Sequence, residues 1–152
     1  MKRFKFSLQT LHDLREQERE DAEGALAQAA AAVAAAAAHL EALRDTINQA
    51  IAAFAANLQT KAPNAHEAKM HTEYIATLDN RLAAARAHHA ACERQRATKL
   101  HELVKASAAA EATAKLREQY YVRYVAELAR EDQNLMDELA TIATVRRMRG
   151  TS

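Results

Sequence analysis

Apolar residues recur every seventh position between residues 22 and 54, and a second apolar set lies between them. This spacing is the a/d pattern of a coiled coil, in which the apolar seam of one helix faces a partner helix. It predicts a helix over about residues 7–58, with Ser7 as its N-cap. The first set is Leu26, Val33, Leu40, Ile47 and Phe54, and the second is Ala22, Ala29, Ala36 and Leu43.

One strong break interrupts the helical pattern. Pro63 disfavours helical backbone at Ala62 and lacks the N–H group that a continuing helix would use. Asn64 is a suitable N-cap for a second helix, and Glu67 three residues later predicts a capping box. We therefore expect a turn over about residues 59–65.

A second apolar stripe follows this turn, and nothing between Ala65 and Met148 breaks a helix, so the second helix is predicted over about residues 66–147. Two seamed helices joined by a short turn fold back on each other. The expected fold is all-α: one long antiparallel coiled-coil hairpin that forms a single domain over residues 1–152. The stripe comprises Leu78, Leu82, Ala85, His89, Cys92, Arg96 and Leu103, and then Tyr121, Val125, Leu128, Leu135, Leu139, Ile142 and Val145.

The turn also sets the register of the hairpin, in which residue i should lie opposite about residue 124 − i. The alanine-rich residues 22–38 then face residues 86–102, whose seam carries His89 and Arg96. Small residues on one helix would leave room for the stems of large polar residues on the other. About 30 residues of the second helix would extend beyond the first helix or meet a partner.

Composition narrows the possible functions. The 152 residues include 39 Ala but only 2 Gly and 1 Pro, too few for the turns of a β-rich domain or for a phosphate-binding loop. A net charge of +1 gives no reason to expect nucleic-acid binding, and a single cysteine permits no internal disulfide. The most apolar run, Ala29–Ala38, is too short for a membrane span.

Candidate chemistry is sparse. His88, His89 and Cys92 have metal-ligand spacing on one helix, but without a facing ligand the structural interpretation is favoured, and we expect neither metal nor cofactor. Two helices were expected to leave no concave pocket for a substrate, so the sequence predicts no enzyme. Tyr120, Tyr121 and Tyr124 form either a binding surface or a cluster that Phe4 and Phe6 cover at the end of the hairpin.

Two segments resemble the FliJ family of flagellar export proteins. The opening segment, FKFSLQTLHDLRE over residues 4–16, resembles the start of that family, and so does the charged run after it. The segment EDQNLMDELA over residues 131–140, followed by Arg146 and Arg147, resembles the family's charged C-terminal part. Together with the length and the hairpin arrangement, the resemblance covers essentially the whole chain.

The resemblance implies a cytoplasmic component of the flagellar type III export apparatus. Such a protein is similar in shape to the γ stalk of rotary ATPases. It would bind the ring of the hexameric export ATPase and the cytoplasmic domain of the export gate, and it would handle export chaperones. Through these partners it would lie at the cytoplasmic face of the inner membrane. The alternatives are an injectisome stalk of similar shape and a structural coiled coil without catalytic activity.

The resemblance also suggests contact residues. The export gate is expected to meet Tyr74 and Leu78 near the turn, although both could equally complete the seam against Leu43, Ile47 or Phe54. The ATPase ring is expected at the open end, and an exposed apolar stripe on residues 120–147 would favour such a partner-binding stalk. The expected ring contacts are Phe4, Phe6, Leu8, Leu11, Arg15, Tyr121 and Leu128.

Overall fold

The computed structural model of the chain describes residues 3–60 and 62–150, and they form two long α-helices. Helix α1 spans Gln9–Leu58 and helix α2 spans Ala65–Gly150. The described residues contain no β-strand, and the two helices pack against each other in antiparallel order. The predicted all-α antiparallel hairpin is confirmed.

The turn between the helices is closed by side-chain hydrogen bonds. The backbone N–H of His66 donates to the Oδ1 atom of Asn64 at 3.0 Å, so Asn64 caps α2 as predicted. Glu67 does not complete the expected capping box with it. Instead the Glu67 carboxylate accepts a 2.7 Å hydrogen bond from the Nδ2 group of Asn57, which ties the end of α1 to the start of α2.

The start of α1 differs from the prediction. The helix begins at Gln9, two residues beyond the predicted N-cap Ser7. Ser7 and Leu8 form a turn in which the Gln9 N–H donates to the Phe6 carbonyl at 3.0 Å. Phe6 is only 7% exposed and its ring lies 5.5 Å from that of Tyr120, so this anchored ring fixes where the chain enters the helix.

The chain divides into two compact units. The turn unit comprises Glu20–Lys105, and the terminal unit comprises the described residues of Met1–Arg19 and Ala106–Ser152. In the turn unit, the rings of Phe54 and His71 lie 5.8 Å apart, and these residue numbers sum to 125, one more than the register predicted. The core of this unit contains Leu40, Leu43, Ile47 and Ala50 from α1, and Ile75, Leu78, Leu82 and Ala85 from α2.

The alanine segment, residues 22–38, uses small side chains in its part of the seam. Ala29, Val33 and Ala36 are buried, while most of the other alanines between them are exposed. On α2, His89 is half-buried as expected, but Arg96 is exposed and the half-buried cation is Lys99. The prediction of Arg96 in the seam was wrong: its side chain is exposed, as a long stem that carries its charged group to solvent allows.

Helix α1 is long and apolar enough to cross a membrane by length and composition alone, which the sequence analysis did not expect. Its apolar character comes largely from alanine, and a core helix of a water-soluble protein meets the same criterion. The buried residues of α1 form the seam that packs against α2 in the turn unit.

Candidate partner-binding surfaces

Five aromatic rings cluster in the terminal unit. The Phe4 ring lies 5.3 Å from that of Tyr121 and 5.4 Å from that of Tyr124, measured between centroids. The Phe6 ring meets that of Tyr120 at 5.5 Å, in an edge arrangement. Such edge-to-face pairs are favoured by the quadrupole of the rings.

The tyrosines were expected either to form a binding surface or to be covered by Phe4 and Phe6, and the structure shows some of each. Phe4 and Phe6 do fold over them, as the structural interpretation required. Tyr120 and Tyr121 nevertheless remain about half exposed, and the guanidinium carbon of Arg123 lies 5.9 Å from the Tyr120 centroid. The cluster therefore anchors the N-terminal segment and also presents aromatic surface to solvent.

Polar contacts reinforce the same unit. The Nδ1 atom of His12 lies 2.9 Å from the Oγ1 atom of the buried Thr113, whose hydroxyl donates to the Ala110 carbonyl at 2.8 Å. Because that hydroxyl proton is already used, the His12 ring donates from Nδ1. The Nε group of Arg117 donates to the Oε1 atom of Gln9 at 3.1 Å. These bonds fix the angular position of α1 against α2 within the terminal unit.

A shallow cleft of about 380 Å³ opens beside this network. The expectation that two helices leave no concave site was therefore wrong at this position, because the N-terminal segment adds a third wall. Its lining combines two aromatic side chains with a cation and an anion, a composition that can accommodate a side chain of a partner. It is lined by Phe4, His12, Ala114, Arg117, Glu118 and Tyr121.

The predicted ring contacts lie together in the terminal unit but differ in exposure. Leu8, Leu11 and Tyr121 are exposed, whereas Phe4 and Leu128 are half-buried and Phe6 is buried. Arg15 forms an ion pair with Glu18 at 2.9 Å. Phe6 therefore lies beneath this group of residues, whereas the side chains of the other predicted contacts are at least partly exposed at the protein surface.

Beyond the aromatic cluster, α2 carries an exposed apolar stripe. Within the terminal unit, the described residues before α1 reach α2 as far as about Glu127, because Phe4 lies against Tyr121 and Tyr124 and residues 3–5 line a shallow cleft together with Glu127. Every described residue from Ala129 to Gly150 is exposed. The sequence identified most of the stripe but missed Met136, which widens it, while the exposed Met148 lies on the opposite side of the helix. Its large apolar members are Val125, Leu135, Met136, Leu139, Ile142 and Val145.

The two residues expected at the export gate occupy different environments in the turn unit. Leu78 is 2% exposed and packs against Ile47 and Ala50, whereas Tyr74 is 49% exposed. Met70, which sequence reasoning did not single out, precedes Tyr74 by one helical turn and is also exposed. The exposed apolar pair at this position is thus Met70 and Tyr74, with Leu78 in the core beneath.

His88, His89 and Cys92 on α2 do not form one cluster, because His88 contacts Cys92 and His89 contacts a different residue. The Cys92 Sγ atom lies 3.6 Å from the Nε2 atom of His88, and the Nε2 atom of His89 lies 3.7 Å from a carboxylate oxygen of Glu93. Across residues 3–60 and 62–150, no three His, Cys, Asp or Glu side chains come together as a metal site would require.

Comparison with known proteins adds one match. The model of a family described as the flagellar FliJ protein matches residues 4–149 of the 152-residue chain. No curated protein and no solved structure matches the chain. The matched range contains the opening and C-terminal segments that carry the resemblance, together with all of α1 and all of α2 except Gly150. The chain therefore belongs to the FliJ family of cytoplasmic flagellar export proteins.

Proposed function

We propose that this chain is a non-catalytic stalk of the flagellar export apparatus, and that its terminal unit binds the hexameric ring of the export ATPase. The observation that carries this proposal is the exposed apolar stripe on residues 125–145. Soluble proteins rarely leave such a contiguous apolar face uncovered unless a partner binds it. A single helix with an apolar face also suits insertion into a groove or a channel.

The aromatic cluster would extend this contact toward the N-terminal segment. Phe4, Leu8 and Leu11 bring apolar surface to the same unit, and the cleft beside Tyr121 offers a pocket for a side chain of the ring. Aromatic residues in such positions commonly dominate the energy of an interface. Arg15 and the C-terminal arginines would meet acidic groups at its rim.

The turn unit would bind the cytoplasmic domain of the export gate through Tyr74 and Met70. Both are exposed, and both lie on one face of α2 because they are four residues apart. Leu78 would hold this face in place from the core. Binding to the gate would bring the chain to the cytoplasmic face of the inner membrane, and export chaperones would be a third class of partner.

Stimulation of the ATPase tests the role of the terminal unit. The variant Phe4→Ala/Leu128→Ala removes two half-buried side chains that are predicted to contact the ATPase ring. We expect the concentration of the chain that gives half-maximal stimulation to rise about tenfold or more. The matched control, Leu100→Ala/Val104→Ala, removes two exposed apolar side chains from the turn unit and should change it little. Circular dichroism would verify that both variants keep their helix content.

Full stimulation of the ATPase by the Phe4→Ala/Leu128→Ala variant would show that the side chains of Phe4 and Leu128 are not part of the ATPase interface. The injectisome stalk is the second candidate, and the match to a flagellar family favours the flagellar assignment. Restoration of motility in a strain that lacks the gene would support the flagellar role, whereas the injectisome assignment predicts normal motility in that strain.

A further inference from the structure

Charge is segregated along the exposed part of α2. Residues 127–138 carry five acidic side chains and one basic side chain, whereas residues 146–149 carry three arginines and no acid. All of these residues are exposed. The acidic group is Glu127, Glu131, Asp132, Asp137 and Glu138, and the basic group is Arg146, Arg147 and Arg149.

Members of both groups lie on the apolar stripe itself. At 3.6 residues per turn, Asp132, Leu135, Leu139, Ile142 and Arg146 fall within an arc of about 80° on one face of α2, with Arg149 at its edge. The face thus begins with an acid, continues with three large aliphatic side chains and ends with two arginines.

We propose that this face binds the same face of a second copy of the chain, in antiparallel orientation. The pairing would place residue i of one copy opposite about residue 281 − i of the other, so that a positions meet d positions over about 20 residues. Leu139 and Ile142 of the two copies form a central cluster of four side chains. On either side, Leu135 packs against the stem of Arg146, and Asp132 pairs with Arg149.

The charge pattern favours a second copy of the chain as the partner and favours the antiparallel orientation. A two-fold axis reverses the acidic-to-basic order, so each arginine end meets an acidic end of the other copy. Parallel pairing would bring acids against acids and arginines against arginines. An antiparallel shift by one heptad to 274 − i would place Glu138 of one copy beside Glu138 of the other, and the opposite shift to 288 − i would place Leu139 opposite Arg149. The 281 − i register avoids both repulsions.

The proposed pairing is reversible, because its central cluster has only four large side chains over about 30 Å of helix. It occupies the stripe that the proposed function offers to the ATPase. Pairing and ring binding would then exclude each other, and the free chain would cover its apolar face until a ring replaced the second copy.

Sedimentation of the full chain alone tests the proposal. Between about 5 and 500 µM, we expect the average mass of the unaltered chain to rise from that of one copy toward that of two. The variants Asp132→Arg and Arg149→Asp each place like charges together at both ends of the pair, and each should weaken association about tenfold or more. The double variant exchanges the two charges and should restore association.

Arg130→Asp is the matched control. It changes the net charge as much as Arg149→Asp does, but Arg130 lies on the opposite face of α2. A chain that sediments as one copy at every concentration would overturn the proposal, and so would a double variant no better than the single ones. Equal weakening by Arg130→Asp would show an effect of net charge alone. A pair insensitive to every charge change would instead favour a structural coiled coil. The ATPase is absent from this measurement, so its outcome is independent of the proposed function.

Discussion

Tyr74 and Leu78 lie one helical turn apart on α2, and shortening each to Ala separates a surface role from a core role. Leu78 is 2% exposed and fills the space between Ile47 and Ala50. Tyr74 is 49% exposed, so about half of its surface is in solvent. The two substitutions should therefore differ sharply in their effect on the free energy of unfolding.

The magnitudes follow from these environments. Leu78→Ala removes three carbon atoms from a closed part of the seam and should lower the free energy of unfolding by about 3 kcal/mol. For a chain of this length that corresponds to a fall of roughly 6–12 °C in the melting temperature. Tyr74→Ala removes a half-exposed side chain that is not part of the core clusters and gains about 0.5 kcal/mol of helix propensity, so the melting temperature should change by less than about 3 °C.

Thermal melting followed by circular dichroism measures both values, and binding to the cytoplasmic domain of the gate supplies the second measurement. Tyr74→Ala should weaken gate binding while it leaves melting nearly unchanged. Equal melting shifts for the two variants would refute the division into surface and core. A large melting shift for Tyr74→Ala with unchanged gate binding would assign Tyr74 to the core and remove it from the proposed interface.

Two further predictions concern the turn unit. Spin labels at the exposed positions Glu41 and Ala84, in a Cys92→Ser background, should lie within about 25 Å of each other, and a separation above about 40 Å would contradict the antiparallel register. Backbone amides in residues 22–38 should exchange faster than those in residues 40–50, because the seam there buries alanine instead of Leu and Ile. Equal protection in the two segments would show that close alanine packing compensates for the smaller apolar area.

Much of the fold follows from the sequence because its determinants are local and periodic. The seven-residue spacing selects the seam of α1, and Pro63 with Asn64 sets the start of α2. A short turn leaves little freedom of register, so the observed pairing of Phe54 with His71 differs from the prediction by a single residue. At the open end the sequence left two alternatives for the tyrosines, and the structure shows that Phe4 and Phe6 contact them.

The departures arise where several polar partners compete or where a small rotation decides exposure. Glu67 could bond its own N-cap or Asn57 across the turn, and only the three-dimensional arrangement shows that the second contact forms. Ile75 continues the seam with Leu78, which turns Tyr74 to the outside, and the three-residue spacing of Ile75 and Leu78 is the feature of the sequence that carries this information. The cleft beside Tyr121 needs the position of Phe4, which no helical periodicity specifies.

The exposed alanines of residues 22–38 have a consequence for any protein that touches them. A methyl group has no rotamers, so contact with this surface costs no side-chain conformational entropy, but it also offers no hydrogen bond and little area to hold a neighbour. By contrast, a surface with long charged side chains would form ion pairs with a neighbouring protein at discrete positions, and these contacts would have to break before the two surfaces could move relative to each other. On this part of α1 the interaction energy should vary little with position, so a neighbouring surface could slide or rotate over it with little resistance.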